Sequence, residues 1–432
     1  MSIKSGVKKL LPTGLFESIE PYGHLAEAVL LNTINGFPGK GLKVIGVTGT
    51  NGKTSTSFLI HRMLVDAGYK VGLMTTVAYG VGDDIKPQIH HMTNVPVPEL
   101  MERLKWMRAQ GAEWLVLETT SHALAQNRVW GVPYSVAVMT NVTHEHLDYH
   151  KTFERYRDAK AKLFKLAGAN KKGLQVGIVN ADDPSAQYFV RAVPHALTYG
   201  VVNGELQATD VHATPDGSDF IAKMGDRTLK LHVNLPGTFN IANALAAAAT
   251  GIALGLTDEQ IEQGIAALEG VEGRMTNIDE GQDFSVIVDY AHTPDSFEKL
   301  FKDLRPVVKG KLIVMFGSAG RRDEAKRAVQ GKLAGEYADE VIVTEEDDRD
   351  IDGVGIMNQI AGGAEEAGKV RDQNLFLVLD RTEAITFAIN RATKGDTVLL
   401  LGKGHEKTIE RADGEHDWDE IGTAHAAAKA RA

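Results

Sequence analysis

The stretch that decides the fold is Val44-Ile-Gly-Val-Thr48, which runs directly into Gly49-Thr-Asn-Gly-Lys-Thr54. The first stretch has the β-branched composition of a buried strand, and the pattern at 57–64 is helical. A strand that ends in a glycine loop and opens a helix directs backbone N–H groups and the positive helix end at a bound phosphate. The sequence therefore predicts a phosphate site here, with Lys53 at the terminal phosphates and the Thr54 hydroxyl on Mg²⁺.

The loop departs from the standard phosphate-binding loop in one place. The eight-residue form has glycine at position 47, where this chain has Val47, and Gly46 lies one place too early. A glycine-rich turn that binds nothing is the alternative. Because a strand precedes the loop and lysine and threonine open the helix, we interpret it as a variant P-loop. Its candidate nucleotide-binding residues are Gly49, Thr50, Asn51, Gly52, Lys53, Thr54 and Ser55.

Outward from the loop, short β-branched runs alternate with longer helical patterns, which predicts β-α units on a parallel sheet. The predicted strands are 44–48, 70–76, 114–118, 136–140 and 175–180, then 284–288, 311–316, 340–344, 375–379 and 396–401. Shorter alternating stretches between 196 and 235 predict an antiparallel insert. The expected fold is α/β, with a central P-loop NTPase-like parallel-sheet domain followed by a smaller Rossmann-like α/β domain.

We expect three parts: a short N-terminal arm at 1–42, a central domain at 43–272 and a C-terminal domain at 273–432. The arm contains Pro12, Pro21 and Pro38 and no sustained period, and Gly270 and Gly273 mark a linker between the two domains.

Composition limits the function classes. The 432 residues carry a net charge of −10, which does not favour nucleic-acid or anionic-membrane binding. The absence of cysteine excludes disulfides, zinc ribbons and a thiol nucleophile. No apolar run approaches the roughly 18 residues of a membrane span. A soluble, cytoplasmic protein is therefore expected.

Two further strands are followed by side chains that suit a hard metal ion. Trp114-Leu-Val-Leu-Glu118 ends in a carboxylate, as a magnesium-holding residue beside a P-loop should, although strands often end in Glu. The segment at 140–150 concentrates three histidines and two carboxylates. A zinc-protease spacing would need histidine where Asp148 lies, so we predict one histidine beside oxygen ligands of Mg²⁺. A structural role for each histidine stays open.

The next predicted helix places a lysine on its apolar face. The stripe consists of Phe153, Tyr156, Leu163, Phe164 and Ala167, and Lys160 lies on the same face. Burial lowers the pKa of a lysine, and a neutral amine can take up CO₂ to become a carbamate, whose oxygens suit a metal. The alternative is that the Lys160 side chain extends past the stripe into solvent.

Taken in order, the motifs resemble those of the Mur ligase family of ATP-dependent amide-forming enzymes, most closely its E-type branch. The resemblance covers about Lys43 to the C-terminus. The matching stretches are GTNGKTST at 49–56, ETTSHAL at 118–124, TNVTHEHLDYH at 140–150, DAKAKLF at 158–164, NADDP at 180–184, LPGTFNIANALAA at 235–247, GRM at 273–275, VDYAHTPDS at 288–296, FGSAGRRDEAKR at 316–327 and LLLGKGHEKT at 399–408.

The resemblance implies roles at the matching positions. Lys53 and Thr54 would bind the ATP phosphates and Mg²⁺, Glu118 and His146 would ligate the magnesium, and Lys160 would join them as a carbamate. These five residues hold the metal or carry the catalysis. Further candidates for ATP are Asn243, Arg274, Asp289 and His292, with Tyr290 nearby. Candidates for the substrate and the incoming amino acid are Thr93, Asn94, Ser121, His122, Arg322, Asp347, Asp348, Arg349, Gly402 and Glu406.

The chain departs from the E-type pattern in three places. E-type enzymes carry an N-terminal domain for the UDP group, and here the P-loop begins at residue 49, so that domain is expected to be missing or reduced to the arm. The motif Asp-Asn-Pro-Arg of enzymes that add meso-diaminopimelate reads Glu346-Asp-Asp-Arg349. Arg349 could pair with a distal carboxylate, whereas the two aspartates would favour an amine. The Thr-Thr-Pro substrate segment reads Thr93-Asn-Val-Pro96.

The resemblance implies an ATP- and Mg²⁺-dependent ligase of peptidoglycan synthesis, and thus of cell wall biogenesis, cell shape and cell division. It would add meso-diaminopimelate or L-lysine to UDP-MurNAc-L-Ala-D-Glu through an acyl phosphate. Family analogy implies a monomer that binds these small molecules and neither nucleic acid nor membrane. Two alternatives stay open: another ligase of the superfamily, folylpolyglutamate-synthetase-like or cyanophycin-type, and an ATP-binding partner subunit that does not ligate.

Overall fold

The computed structural model describes residues 13–88, 93–143, 145–214 and 217–431, so His144 of the histidine-rich segment lies outside the described residues. The chain divides into two units. Unit 1 consists of the described residues up to Val211, with Asp219–His232 and Ile241–Leu268. Unit 2 consists of the described part of 212–218, with Val233–Asn240 and the residues from Glu269 onward. Within the described ranges, no helix is long and apolar enough to cross a membrane.

The larger sheet has eleven strands in the order β11-β10-β9-β8-β7-β6-β1-β5-β2-β3-β4. They are β1 (Lys43–Thr48), β2 (Val71–Met74), β3 (Ala78–Val81), β4 (Asp84–Pro87), β5 (Trp114–Glu118), β6 (Tyr134–Met139), β7 (Val176–Asn180), β8 (His195–Gly200), β9 (Leu206–Thr214), β10 (Gly217–Met224) and β11 (Arg227–Val233). Neighbours from β2 to β8 are parallel, which confirms the predicted parallel sheet. β3 and β4 form an antiparallel edge that the sequence analysis did not predict.

The insert predicted to be antiparallel at 196–235 is so only in part. β8 lies parallel to β7, and β9 pairs in parallel with the end of β8. A short helix at Ala186–Val190 connects β7 to β8, and such a crossover lets the second strand run in the direction of the first. β10 and β11 form a hairpin whose turn is Gly225-Asp226, with Gly225 at a φ of 57°.

The helices that accompany the sheets are α1 (Thr13–Ile34), α2 (Lys53–Asp66), α3 (Val97–Ala109), α4 (Ser121–Ala125), α5 (Leu147–His150), α6 (Phe153–Ala169), α7 (Ala186–Val190), α8 (Phe239–Leu254), α9 (Asp258–Ala266), α10 (Pro294–Leu304), α11 (Ala325–Tyr337), α12 (Gly353–Glu366), α13 (Arg381–Arg391) and α14 (Glu420–Arg431). α6 begins at a good N-cap, because the Thr152 side chain accepts a hydrogen bond from the Arg155 N–H. This fixes the start of the helix that carries Lys160.

β1 lies at the centre of the larger sheet, between β5 and β6. All of its residues after Lys43 are buried, as expected for a strand covered on both faces. The parallel register pairs Val47 with Glu118 and Thr48 with Met139. The carboxyl ends of three strands therefore meet beside the P-loop, where ligands of open α/β sheets bind.

The helix α1 was not predicted, because the first 42 residues show no sustained period. It includes Pro21, and its buried residues Ala28 and Asn32 face unit 1. The Asn32 amide nitrogen donates to the carbonyl oxygens of Ala28 and Trp130 at 2.9 and 3.0 Å. The second part of the expected arm is therefore a helix tied to the core of unit 1.

Unit 2 contains a six-stranded sheet in the order β12-β13-β17-β14-β15-β16. Its strands are β12 (Thr276–Ile278), β13 (Ser285–Asp289), β14 (Leu312–Phe316), β15 (Glu340–Val343), β16 (Leu375–Leu377) and β17 (Thr397–Leu401), and a hairpin of β18 (Thr408–Arg411) and β19 (Gly414–Asp417) follows. All pairs but β12–β13 are parallel, so the second predicted α/β domain is confirmed in type. The carboxyl ends of β13, β15 and β17 lead into Tyr290, Thr344 and Gly402 at one sheet edge.

Candidate active site

Two glycines of the P-loop are required by close packing. A Cβ atom added to Gly49 would lie 1.8 Å from Oγ1 of Thr140, and one added to Gly52 would lie 2.3 Å from Oδ1 of Asn243. Gly52 also has a φ of 80°, in the left-handed region, immediately before α2 begins. The chain thus reaches the start of α2 by a path that only glycine permits at these positions.

The segment after β6 holds the loop in shape. The Thr50 N–H donates to the Asn141 carbonyl at 2.8 Å, and the Asn51 N–H donates to the Asn141 side-chain oxygen at 2.9 Å. In return, Thr140 Oγ1 donates to the Asn51 carbonyl at 2.6 Å. The Thr143 N–H donates to Thr50 Oγ1 at 2.9 Å. These bonds fix the backbone before any ligand binds, which is what a phosphate cradle requires.

Lys53 is the first residue of α2, and its ammonium lies over the loop. Its Nζ donates to the Thr50 carbonyl at 2.7 Å. A phosphate bound at the N-terminus of α2 would offer this ammonium a charged acceptor in place of a neutral carbonyl. The role of Lys53 at the terminal phosphates stays a prediction.

Thr54 and Glu118 meet at the carboxyl end of β5. The Thr54 hydroxyl donates to Oε2 of Glu118 at 3.0 Å, and Thr76 donates to the same carboxylate through its N–H at 3.1 Å and its hydroxyl at 3.0 Å. Glu118 is 1% exposed, so its charge is held by these donors. A hydroxyl and a carboxylate oxygen at this spacing beside a phosphate cradle fit the oxygen ligands that Mg²⁺ prefers.

Thr93 and Asn94, predicted to contact substrate, support Glu118 in this structure. Thr93 shares a 2.8 Å hydrogen bond with the Thr76 hydroxyl, and the Asn94 amide nitrogen donates to the Glu118 carbonyl at 2.8 Å. The Asn94 side-chain oxygen accepts from the Thr120 N–H at 2.9 Å. Asn94 therefore positions the end of β5, and Thr93 positions the Thr76 hydroxyl that donates to Glu118.

Lys160 points inward from α6, so its reading as a solvent-exposed side chain is wrong. It is 2% exposed, its Nζ donates to the Gly49 carbonyl at 2.5 Å, and it lies 4.4 Å from the Tyr156 ring centroid. Burial, and then the charge of Lys53, lower its pKa well below the usual value, while Glu145 and Glu118 act in the opposite direction. This environment favours the neutral amine form of Lys160, which is the form that carbamate formation requires.

The histidines form a packed group next to these residues. The His122 ring lies 4.8 Å from the His146 ring and 5.3 Å from the His150 ring, and Ser121 Oγ is 3.0 Å from His150 Nε2. His146 has a positive φ of 56°, and its ring lies 6.0 Å from that of Tyr156. The described residues contain no preformed group of three acidic or histidine side chains around a common metal position. Magnesium ligation by His146 therefore stays a prediction.

Asn243, in α8, contacts the loop from the other side. Its Oδ1 accepts from the Thr56 hydroxyl at 3.2 Å, and it packs against Gly52. Asn243 is 4% exposed. The structure thus brings one predicted ATP residue directly to the P-loop, as a brace for its backbone.

In unit 2, the predicted ATP residues Arg274, Asp289 and His292 surround Tyr290. The Arg274 guanidinium lies 4.6 Å from the Tyr290 ring centroid, and its Nε is buried without a hydrogen-bond partner in the described part of the chain. The Asp289 carboxylate accepts from the N–H groups of Met275 and Ala291, at 2.8 and 2.7 Å. Burial raises the pKa of Asp289, and Arg274 opposes this shift.

His292 and Arg322 are two further residues that were predicted to belong to the site. His292 Nδ1 lies 2.9 Å from the Tyr290 carbonyl. Arg322 is exposed on the turn after β14, and its approach to phosphates or amino acid stays a prediction.

The predicted amino-acid pocket is built around a lysine that the sequence analysis did not select. Lys403 is fully buried, and its Nζ contacts Oδ1 of Asp347 at 2.8 Å and Oε2 of Glu406 at 2.6 Å. Glu406 Oε1 accepts from the Tyr290 hydroxyl at 3.1 Å. A Cβ atom on Gly402 would lie 2.8 Å from Oε2 of Glu346, so glycine lets that carboxylate approach.

Asp348 and Arg349 lie next to this lysine-centred group. Asp348 Oδ1 accepts from the Glu346 N–H at 3.3 Å, and burial raises the pKa of Asp348 to about 6. Arg349 Nη1 donates to the Gly320 carbonyl at 2.6 Å, and its Nε donates to the Glu410 carboxylate. The structure thus brings together Asp347, Asp348, Arg349, Gly402 and Glu406, and their role in binding the amino acid stays a prediction.

Several charged residues of unit 2 escaped the sequence analysis. Arg381 is fully buried and pairs with Glu420 at 2.6 Å, and Arg411 pairs with Glu345 at 2.6 Å. Their partners lie 39 and 66 residues away. The one local sign of this charged group was in GKGHE, where Lys403 and Glu406 lie three residues apart and so within reach of each other.

Comparison with known proteins agrees with this geometry. Residues 47–251 match the family description "Mur ligase middle domain", and residues 273–404 match "Mur ligase, glutamate ligase domain". The chain is 42% identical over 416 residues to a UDP-N-acetylmuramyl-tripeptide synthetase of Roseiflexus sp. (strain RS-1), covering 94% of this chain and 82% of that protein. It is 39% identical over 419 residues to a UDP-N-acetylmuramoyl-L-alanyl-D-glutamate--2,6-diaminopimelate ligase of Geobacillus thermodenitrificans (strain NG80-2), covering 96% and 84%.

Solved structures show the same relationship. A UDP-N-acetylmuramoyl-L-alanyl-D-glutamate--2,6-diaminopimelate ligase superimposes with a TM-score of 0.65 at 29% identity, over 96% of this chain and 83% of that one. A Mycobacterium tuberculosis folylpolyglutamate synthase complexed with ADP and AMPPCP superimposes with a TM-score of 0.72 at 16% identity, over 88% and 92%, which is a likeness of fold alone.

Proposed function

Because this chain belongs to the Mur ligase family, we propose that it joins a diamino acid to UDP-MurNAc-L-Ala-D-Glu at the expense of ATP. The observation that carries the proposal is the arrangement around the P-loop. Lys53 heads α2, Thr54 bonds Glu118, and buried Lys160 contacts the Gly49 carbonyl. These are the charges and oxygens that phosphoryl transfer from ATP to a carboxylate needs.

The first step activates the acid. A carboxylate is a poor electrophile, so its oxygen attacks the γ-phosphorus of ATP, ADP leaves, and an acyl phosphate forms. Lys53 and the N–H groups at the start of α2 would stabilise the negative charge on the transferred group. Magnesium, held by Thr54, Glu118, His146 and carbamylated Lys160, would neutralise further phosphate charge when bound.

Carbamylation would change what Lys160 offers the site. The neutral amine attacks the carbon of CO₂, one C–O π bond becomes a negative oxygen, and the nitrogen releases a proton to solvent. Lys160 would thereby change from a hydrogen-bond donor to a carbamate anion with two acceptor oxygens. The low pKa that burial imposes on Lys160 favours the neutral amine as the starting form.

The second step makes the amide. The amine of the incoming amino acid attacks the acyl carbon, inorganic phosphate leaves, and the amine loses a proton. In unit 2, the carboxylates at 346–348 and Glu406 would hold the amino acid, since they offer acceptors to its ammonium groups. Arg274, whose buried Nε has no hydrogen-bond partner among the described residues, would contact ATP.

The test is ADP release by the purified full chain with ATP, Mg²⁺, UDP-MurNAc-L-Ala-D-Glu and one amino acid at a time, with the product identified by mass. We expect ADP only when the nucleotide substrate and a diamino acid are both present, and Lys53→Met should abolish it. ADP release that requires a folate and glutamate would indicate another ligase of the superfamily. ATP binding without turnover under every condition would indicate a non-catalytic subunit.

A further inference from the structure

The side chain of Arg349 is engaged by the chain itself. Its Nε donates to the Glu410 carboxylate, and its Nη1 donates to the Gly320 carbonyl at 2.6 Å. The backbone joins the same pair, because the Arg349 N–H donates to the Glu410 carbonyl at 3.0 Å. Arg349 also has a positive φ of 57°, a backbone conformation that is uncommon for residues other than glycine. Oδ2 of Asp347 lies farther away, 3.9 Å from Arg349 Nη2, so Glu410 is the carboxylate in direct contact that balances the charge of Arg349.

Glu410 is itself fixed from a second side. It belongs to β18, and its N–H donates to Oδ1 of Asp347 at 3.0 Å. The same Asp347 oxygen accepts from Lys403 at 2.8 Å. β18 pairs with β19, where Glu410 lies opposite Glu415. The hairpin thus holds Glu410 against 347–349, and a ligand carboxylate would have to displace it to reach Arg349.

The remaining charge of the segment is negative. Burial raises the pKa of Glu346, although Lys326, Arg381 and Lys403 act against the shift. Burial also raises the pKa of Asp348. Lys403 is already shared between Asp347 and Glu406, so a ligand ammonium would meet a carboxylate-rich segment whose buried lysine is already paired.

We propose that Glu410 sets the amino-acid specificity of this chain. By neutralising Arg349, it leaves an acidic pocket at 346–349 that takes an L-diamino acid whose side chain ends in an ammonium alone, of the lysine or ornithine class. A diamino acid with a second carboxylate brings negative charge to this pocket and competes with Glu410 for Arg349. The inference rests on the proposed function and names the amino-acid class of that same site.

The test compares kcat/KM for L-lysine, L-ornithine and meso-diaminopimelate in the unmodified chain and in Glu410→Gln, which keeps the side-chain shape and removes the charge. The unmodified chain should prefer L-lysine or L-ornithine. Glu410→Gln should raise the relative use of meso-diaminopimelate about tenfold or more, mainly through a lower KM, because one charge-assisted contact becomes available. Glu410→Asp should restore the original preference.

Glu415→Gln is the matched control, with the same charge change on the neighbouring strand, and its preference should equal that of the unmodified chain. Ligation that favours meso-diaminopimelate in the unmodified chain would overturn the specificity inference and leave the proposed ligase function standing. An unchanged preference in a folded Glu410→Gln chain would also overturn it. Absence of ligation with all three amino acids would instead overturn the proposed function, and the inference with it.

Discussion

The side-chain nitrogen of Lys160 lies 2.5 Å from the carbonyl oxygen of Gly49, the first residue of the P-loop. The two residues are 111 positions apart in the chain. A buried amine donor needs an acceptor, and the loop carbonyl supplies one. A carbamate at the same place has no proton to donate through its oxygens, so carbamylation replaces this contact and changes how the side chain touches the loop.

The first prediction concerns the chemistry of that lysine. Lys160→Ala should abolish ligation, because it removes the amine on which the carbamate forms. Short carboxylates added to the assay should restore part of the activity by supplying the missing oxygens. Lys165→Ala is the control, since Lys165 is exposed on the same helix and should leave the rate unchanged. Full activity of Lys160→Ala without any added carboxylate would remove the carbamate from the mechanism.

The second prediction concerns magnesium. Glu118→Gln removes the charge that faces the Thr54 hydroxyl and should lower kcat about 100- to 1,000-fold, the range found when one preorganised electrostatic group is lost. The Mg²⁺ concentration for half-maximal activity should rise as well. Glu113→Gln, at the exposed start of the same strand, should change neither quantity. A normal Mg²⁺ requirement in Glu118→Gln would place the metal elsewhere.

The third prediction concerns the shape of the loop. Gly49→Ala places a methyl group 1.8 Å from Thr140 Oγ1, so loop or strand must shift. We expect a loss of about 1 to 3 kcal/mol in the free energy of unfolding by urea, with much weaker binding of a fluorescent ATP analogue. Gly23→Ala is the control, because nothing lies within 4 Å of its added Cβ and alanine favours the helix. Equal ATP affinity in both variants would contradict the packing argument.

The fourth prediction concerns pH. The pKa of Asp348 is raised to about 6 in the folded chain, so between its usual value and 6 the folded state binds more protons than the unfolded state, and stability falls as pH rises. Asp348→Asn stays neutral. Because the Asp348 side chain is partly hydrated, we expect a moderate effect. The gain in the free energy of unfolding of Asp348→Asn over the unmodified chain should be about 1 to 2 kcal/mol larger at pH 8 than at pH 4.5, measured by thermal unfolding.

Asp350→Asn is the matched control for this effect. Asp350 is exposed beside Arg321, whose hydrogen bond lowers the pKa of Asp350. Its loss should therefore bring no gain at pH 8. If the stability of Asp348→Asn changes with pH in the same way as that of Asp350→Asn, then the charge of Asp348 does not destabilise the folded chain.

Much of the fold followed from local patterns. The strands at 44–48 and 114–118 were predicted almost residue for residue, because a buried parallel strand is a continuous apolar run between turns. The inward position of Lys160 also follows from a local signal, the apolar stripe of α6. The helix at Thr13–Ile34 was missed because its apolar residues are divided between a buried and an exposed side, and Pro21 interrupts the pattern.

The charge pairs of unit 2 could not be read from the sequence. Glu410 binds Arg349 across 61 positions, and Arg381 binds Glu420 across 39. Which acid meets which base depends on how a hairpin folds back, and no periodicity records that. The sequence could therefore identify the amino-acid segment but could not say whether Arg349 was available to a ligand.

The brace that Asn243 provides has a consequence for the order in which the site matures. Asn243 follows its partner Thr56 by 187 residues, so a ribosome will have made the whole P-loop, β5 and the Lys160 helix before Asn243 emerges. Until then the turn before α2 lacks the Asn243 side chain that packs against Gly52. A nascent chain that stops short of α8 should consequently hold nucleotide poorly, even with every phosphate-contacting residue already synthesised.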